Sequence, residues 1–151
     1  MSFSEESNEM LLACFRIGNA NFGVDARLVQ EVVKSGEITS VHDAPPEVVG
    51  IRNLRGRIIT VIDLAAHLDL GQVETGPGTK MLIMEHLGES YGFLVDAVTE
   101  AFAMDENQIA ESPPNLDPVL RERLLGVWRD HDELTAILDS SKIFEWQNST
   151  Q

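Results

Sequence analysis

The feature that most constrains this chain is that it repeats itself. The stretch Phe22-Gly23-Val24-Asp25-Ala26-Arg27-Leu28-Val29-Gln30-Glu31-Val32-Val33 returns as Tyr91-Gly92-Phe93-Leu94-Val95-Asp96-Ala97-Val98-Thr99-Glu100-Ala101-Phe102, with Gly92 lying 69 residues after Gly23. Each copy reads aromatic-Gly, an apolar run, then Val-x-Glu, and each follows a Gly-containing turn, Gly18-Asn19-Ala20-Asn21 and Gly88-Glu89-Ser90. A second pair keeps register without a gap: Val48-Val49-Gly50-Ile51 matches Leu124-Leu125-Gly126-Val127, and Ile58-Ile59-Thr60-Val61-Ile62-Asp63 matches Leu134-Thr135-Ala136-Ile137-Leu138-Asp139, 76 residues apart. A proline pair precedes each block, Pro45-Pro46 and Pro113-Pro114. Short apolar runs split by turn residues read as strands and hairpins. Two copies are too few for a solenoid, which needs about three or more, and they suit two small β-barrels. The expected architecture is all-β.

Few helices are expected. Asp63 can cap one through Leu64, Leu68 and Leu70, closed by Gly71. Asp117-Pro118 has the cap-then-proline pattern before a helix over 119–125. Asp139 can start a terminal helix carrying Ile143, Phe144 and Trp146. The spacing Leu28-Val29-x-x-Val32-Val33 fits helix as well as strand. The stretch 71–78, with Pro77, reads as an exposed connection between the halves.

Charge narrows the function classes. A formal net charge of −14 argues against nucleic acid, which demands a positive footprint, and disfavours anionic membrane surfaces. No apolar run reaches the ~18 residues of a membrane span, and the first ten residues carry three acids and no base, unlike a signal peptide. A soluble intracellular protein without direct membrane insertion is the expectation. The single cysteine, Cys14, forms no internal disulfide and sits in an apolar run as a small hydrophobe. Gly76-Pro77-Gly78-Thr79-Lys80 lacks the ending of a phosphate loop and reads as linker. His42, His67, His86 and His131 show no metal-ligand spacing, and no nucleophile elbow is present. No catalytic residue, metal or cofactor is expected.

One charge cluster stands out. Arg52, Arg55 and Arg57 are three of the 11 basic residues, gathered within six positions of the turn Ile51-Arg52-Asn53-Leu54-Arg55-Gly56-Arg57. A solvated loop is the plain reading. A docking loop or an ion pair with a carboxylate is the sharper one, since the planar guanidinium binds carboxylates bidentately.

Asn53-Leu54-Arg55-Gly56, followed by Ile58-Ile59-Thr60-Val61-Ile62-Asp63-Leu64, resembles the signature of CheW-type chemotaxis coupling proteins. Phe22-Gly23-Val24-Asp25, Val29-x-Glu31-Val32, Pro45-Pro46, Gly92-Phe93-Leu94-Val95-Asp96 and Leu124-Leu125-Gly126-Val127 fall where that family has them, and the resemblance covers roughly residues 10 to 146. It implies two intertwined SH3-like five-stranded barrels with a few short helices. It implies one domain over 10–147 with subdomains near 15–75 and 80–147, and tails at 1–9 and 148–151. It further implies a non-catalytic, cytoplasmic adaptor recruited to membrane-bound receptor arrays. Its partners would be the cytoplasmic tip of chemoreceptors and the regulatory domain of a CheA-type histidine kinase. Receptor binding in the family uses a groove between the barrels. The implied binding residues are Val29, Glu31, Gly50, Arg52, Asn53, Arg55 and Arg57, with Glu31 and Arg55 paired. The chain departs from the family at Thr60, often proline, at Arg52, usually apolar, at Phe22, more commonly tyrosine, and at Ser112, where a third proline is common. Its end at Gln151 sets the expectation that no receiver domain is appended. The rival readings are a generic SH3-like interaction module in another signalling pathway, for which 6% aromatic residues supply a poor peptide groove, and a small enzyme, for which no motif speaks.

Overall fold

Chain order and pairing are seen in a computed structural model, which describes residues 9–130 and 132–145. The strands are β1 (Glu9–Ile17), β2 (Ala20–Asp25), β3 (Val29–Lys34), β4 (Val48–Leu54), β5 (Arg57–Asp63), β6 (Lys80–His86), β7 (Glu89–Val95), β8 (Ala97–Asp105), β9 (Leu124–Asp130) and β10 (Glu133–Leu138). Helix α1 (Leu64–His67) follows β5, and α2 (Pro118–Glu122) precedes β9. The strands form two five-stranded sheets, ordered β8-β1-β2-β10-β9 and β3-β6-β7-β5-β4. This is the two-barrel all-β architecture expected from the repeat.

The register of the two sheets reproduces the sequence repeat residue by residue. Phe15 faces Val98 across β1 and β8, and Met84 faces Val29 across β6 and β3. The parallel contacts match as well: Gly23 pairs with Ile137, and Gly92 with Val61. Gly50 and Gly126 hold equivalent places. A Cβ on Gly50 would lie 2.1 Å from the Thr39 carbonyl oxygen, and one on Gly126 would lie 2.2 Å from that of Ala110. At these points the segments after β3 and β8 cross over and pair with β4 and β9, Thr39 with Ile51 and Ala110 with Val127. Glycine is required at both because backbone occupies the side-chain space.

The barrels are not the sequence halves. The first contains β1 and β2 with β8, β9 and β10; the second contains β3 to β7. The boundary expected between 15–75 and 80–147 is therefore replaced by an exchange, in which each half of the chain gives its first hairpin to one barrel and its later strands to the other. The chain crosses over at the 3-10 turn Ala26–Leu28 and again at Asp96, between β7 and β8. The stretch 71–78 joins α1 to β6 within one barrel. It is mostly exposed, though Val73 is buried and its N–H donates to the Asp63 carboxylate. Of the expected tails, Glu9 begins β1, and residues 1–8 and 148–151 lie outside the described residues.

The exchange merges the cores. Met10, Leu12 and Cys14 of β1 point into a cluster with Met104, Trp128 and Ile137 inside the first barrel. A register shift between Ala13 and Phe15 re-aims the strand. Phe15 and Ile17 then join Phe22, Val24, Ile59, Phe93, Leu138 and Phe144 in a larger cluster that runs through both barrels.

Short elements deviate from expectation for local reasons. Asp63 does cap α1, accepting from the Ala66 N–H. The helix ends four residues before Gly71, because Asp69 takes the left-handed conformation (φ 62°). Leu70 N–H then bonds back to Ala65 and Asp69 N–H to Ala66, the paired hydrogen bonds of a Schellman stop. Asp117 caps α2 with Pro118 in its first turn, but the helix closes at Glu122, since Leu124 and Leu125 belong to β9. After Asp139 the chain forms turns over 140–144 rather than a helix, with Asp139 Oδ1 accepting from Ser141 N–H; Trp146 lies outside the described residues. Residues 29–34 are strand.

Candidate functional site: the arginine seam of the second barrel

β3 and β4 are the outermost strands of the second sheet, with no backbone ladder between them. The three clustered arginines bridge this gap. β4 and β5 meet in a two-residue turn, Arg55-Gly56, whose residues both have positive φ (53° and 85°). Asn53 Oδ1 accepts from Gly56 N–H at 2.8 Å and fixes the turn. Glycine or asparagine is the usual occupant of such a position; an arginine there is strained. The turn aims Arg55 Nη2 at both carboxylate oxygens of Glu31, at 2.7 and 2.6 Å. The pair is open to water, with side-chain exposures of 66% and 35%, so it contributes only ~0–1 kcal/mol to stability.

Arg57 Nη2 donates to Gln30 Oε1 at 3.3 Å, and Gln30 Nε2 donates to Glu85 Oε1 at 3.1 Å. Arg52 acts differently. Its Nη1 donates to the carbonyls of Lys34 (2.6 Å) and Ser35 (3.2 Å), and its guanidinium lies over Gly36, where a Cβ would come within 2.6 Å of Cζ. It braces the exit of β3.

The seven residues implied by the family resemblance therefore separate. Glu31, Asn53, Arg55 and Arg57 converge at one end of the seam. Val29, half-buried, begins the same strand as Glu31. Arg52 points back to main-chain carbonyls, and Gly50 is buried against Thr39. Gln30 and Glu85 join the network without any sequence signal, since neither carries a motif.

Elsewhere the described residues offer little chemistry. Burial, reinforced by Asp130 and Glu100, pushes the Cys14 thiol up to about 11, so it stays protonated at neutral pH. His67 is fully buried between the barrels' shared core and the C-terminal turns. Its Nε2 donates to the Ile143 carbonyl at 2.7 Å and its Nδ1 lies 3.6 Å from Glu47 Oε2. Burial, and then the Arg123 charge, hold its pKa below the usual histidine value. Among the described residues no three His, Cys, Asp or Glu side chains converge as metal ligands.

Comparison with known proteins gives consistent matches. Residues 11–148 match the model of the CheW-like domain. The chain is 28% identical over 143 residues to the chemotaxis protein CheW of Helicobacter pylori, covering 93% of this chain and 86% of that one. It is 26% identical over 129 residues to that of Klebsiella aerogenes (85% and 78%) and 28% identical over 134 residues to protein FrzA of Myxococcus xanthus (87% and 83%). Its fold is similar to the crystal structure of the scaffolding protein TtCheW from Thermoanaerobacter tengcongensis, with a TM-score of 0.81, 31% identity and coverage of 97% and 95%.

Proposed function

The chain belongs to the CheW-like family, and from that membership we propose that it is a non-catalytic chemotaxis scaffold coupling methyl-accepting receptors to a CheA-type histidine kinase. The proposed partners are the receptors' cytoplasmic tip and the kinase's regulatory domain, met in the cytoplasm at receptor arrays. No helix among the described residues is long and apolar enough to cross a membrane.

The observation that carries the reading is Arg55. A non-glycine residue in left-handed backbone costs roughly 1–2 kcal/mol, while its exposed ion pair returns at most about 1 kcal/mol. Leu87 takes the same conformation (φ 52°) in the β6–β7 turn, so what singles out Arg55 is the charged group that its turn presents. The turn presents a guanidinium, oriented by Glu31, beside Arg57, on the rim of a barrel. The docking residues are Glu31, Asn53, Arg55 and Arg57, with Val29 at the start of the same strand, while Arg52 and Gly50 support the backbone that positions them.

The test is calorimetry of the full chain against a receptor cytoplasmic fragment and a CheA-type regulatory domain from the same genome. Binding to both, with receptor affinity lost in a folded Arg55→Gly protein, is expected. Absence of binding to either partner, or phosphotransfer by the purified chain, defeats the proposal.

A further inference from the structure

A cavity of about 370 Å³ opens at the end of the first barrel. All five strands of the first barrel line it. Three substitutions between the repeats open it. Cys14 stands where the second barrel has Ile83, Thr135 where it has Ile59, and Thr99 where it has Gln30. The first two remove apolar volume from the floor. The third removes the amide that, in the second barrel, links Arg57 to Glu85 across the mouth.

The charges are conserved at one position and inverted at another. Glu100 occupies the place of Glu31, and Glu133 that of Arg57. Arg55 corresponds by sequence to His131, which lies outside the described residues. One wall is aromatic: Phe102 and Trp128 meet edge to face with centroids 5.6 Å apart, and Trp128 replaces Arg52. Among the described lining residues, Asp130, Glu100 and Glu133 are acidic and Arg16 is basic. Burial first, and then Asp130 and Glu100, raise the Cys14 thiol at the floor.

We infer that the mouth of the first barrel binds an arginine side chain offered by a partner protein. The molecule contains its own template for the complex: in the second barrel, Glu31 at the position equivalent to Glu100 already holds a guanidinium through both oxygens. In the first barrel the same glutamate faces an open cavity with an aromatic wall, where a planar cation gains from carboxylate and ring face together. Recognition of a flexible basic segment by this mouth is separate from the arginine seam of the second barrel, and the inference stands or falls without the proposed chemotaxis partners.

The test titrates the isotope-labelled full chain with the blocked tripeptide Ac-Gly-Arg-Gly-NH2 and follows amide and indole resonances. Saturable shifts centred on Thr99, Glu100 and the Trp128 indole are expected, with the citrulline peptide, isosteric but uncharged, binding at least about tenfold more weakly. Glu100→Gln, an exposed substitution, weakens arginine binding several-fold while leaving the melting temperature and the rest of the spectrum in place. Arg16→Gln, which removes the competing cation, tightens it. The inference is overturned by equal binding of the citrulline peptide, by unchanged affinity in folded Glu100→Gln, by weaker binding in Arg16→Gln, or by shifts that do not saturate or lie elsewhere.

Discussion

Replacing Arg55 by glycine separates what this turn does for folding from what it does for binding. The native residue sits at φ 53°, a conformation costing a side-chain-bearing residue roughly 1–2 kcal/mol relative to right-handed backbone. Glycine removes that cost but adds about 0.5–1 kcal/mol of unfolded-state entropy. Loss of the pair with Glu31 removes ~0–1 kcal/mol, because Arg55 is two-thirds exposed. These contributions nearly cancel, so Arg55→Gly should match the parent protein in stability to within about 1 kcal/mol. Arg55→Ala loses the pair and keeps the strain, so it should fall below Arg55→Gly by about 0.5–1 kcal/mol. Urea unfolding followed by tryptophan fluorescence reads both, compared at equal m-value. Should Arg55→Ala prove more stable than Arg55→Gly, the strain argument fails; should Arg55→Gly lose more than about 2 kcal/mol, the pair is structural.

Three further outcomes are expected. In a double-mutant cycle of Glu31→Ala and Arg55→Ala, the coupling should stay below about 1 kcal/mol in stability yet be resolved in receptor affinity; strict additivity in both assays would show that the residues do not interact. Gly50→Ala and Gly126→Ala should each lose at least about 2 kcal/mol, by similar amounts, because an added Cβ would meet a carbonyl oxygen at 2.1 and 2.2 Å; a mild effect at one site alone would deny their equivalence. His67, whose folded pKa lies below its ordinary value of 6.5, contributes no pH slope above about pH 6.5, where it is neutral in both states. As pH falls below that value the unfolded chain takes up a proton that the folded chain resists, so stability should decline until the lowered folded pKa is reached. Buffered melts at pH 8, 7, 6 and 5.5 read this, and an unchanged slope in a folded His67→Gln protein would assign it to other groups.

The repeat, the strand-rich class and the pairing of Gly50 with Gly126 were legible in the residues, because close backbone approach leaves glycine at fixed positions and β-strands leave apolar runs. The exchange between barrels was not legible in the periodicity and entered only as the intertwining that the family resemblance implied. The hairpin β1–β2 presents the same apolar faces whichever set of later strands it joins, and the choice is made by the chain direction at 26–28 and at Asp96. Periodicity carries no information about that direction. The arginine cluster was visible as composition, but its division into Arg55 facing a carboxylate and Arg52 facing main-chain carbonyls depends on which strand ends lie opposite, a tertiary fact. Helix lengths were overestimated where a single left-handed aspartate, Asp69, stops α1 before glycine is reached.

The crossed connections give the molecule the topology of a domain-swapped dimer written on one chain. Each half contributes a hairpin to its sister, so a cut within 71–78 yields two pieces, each holding strands from both barrels and completing neither. Such fragments have unpaired edges of matching register and should recover the native assembly only by reassociation. A single half expressed alone carries, by the same register, the parts of one whole barrel divided between hairpin and later strands. Two copies could trade hairpins to satisfy each other, which makes a symmetric homodimer the natural relative of this architecture.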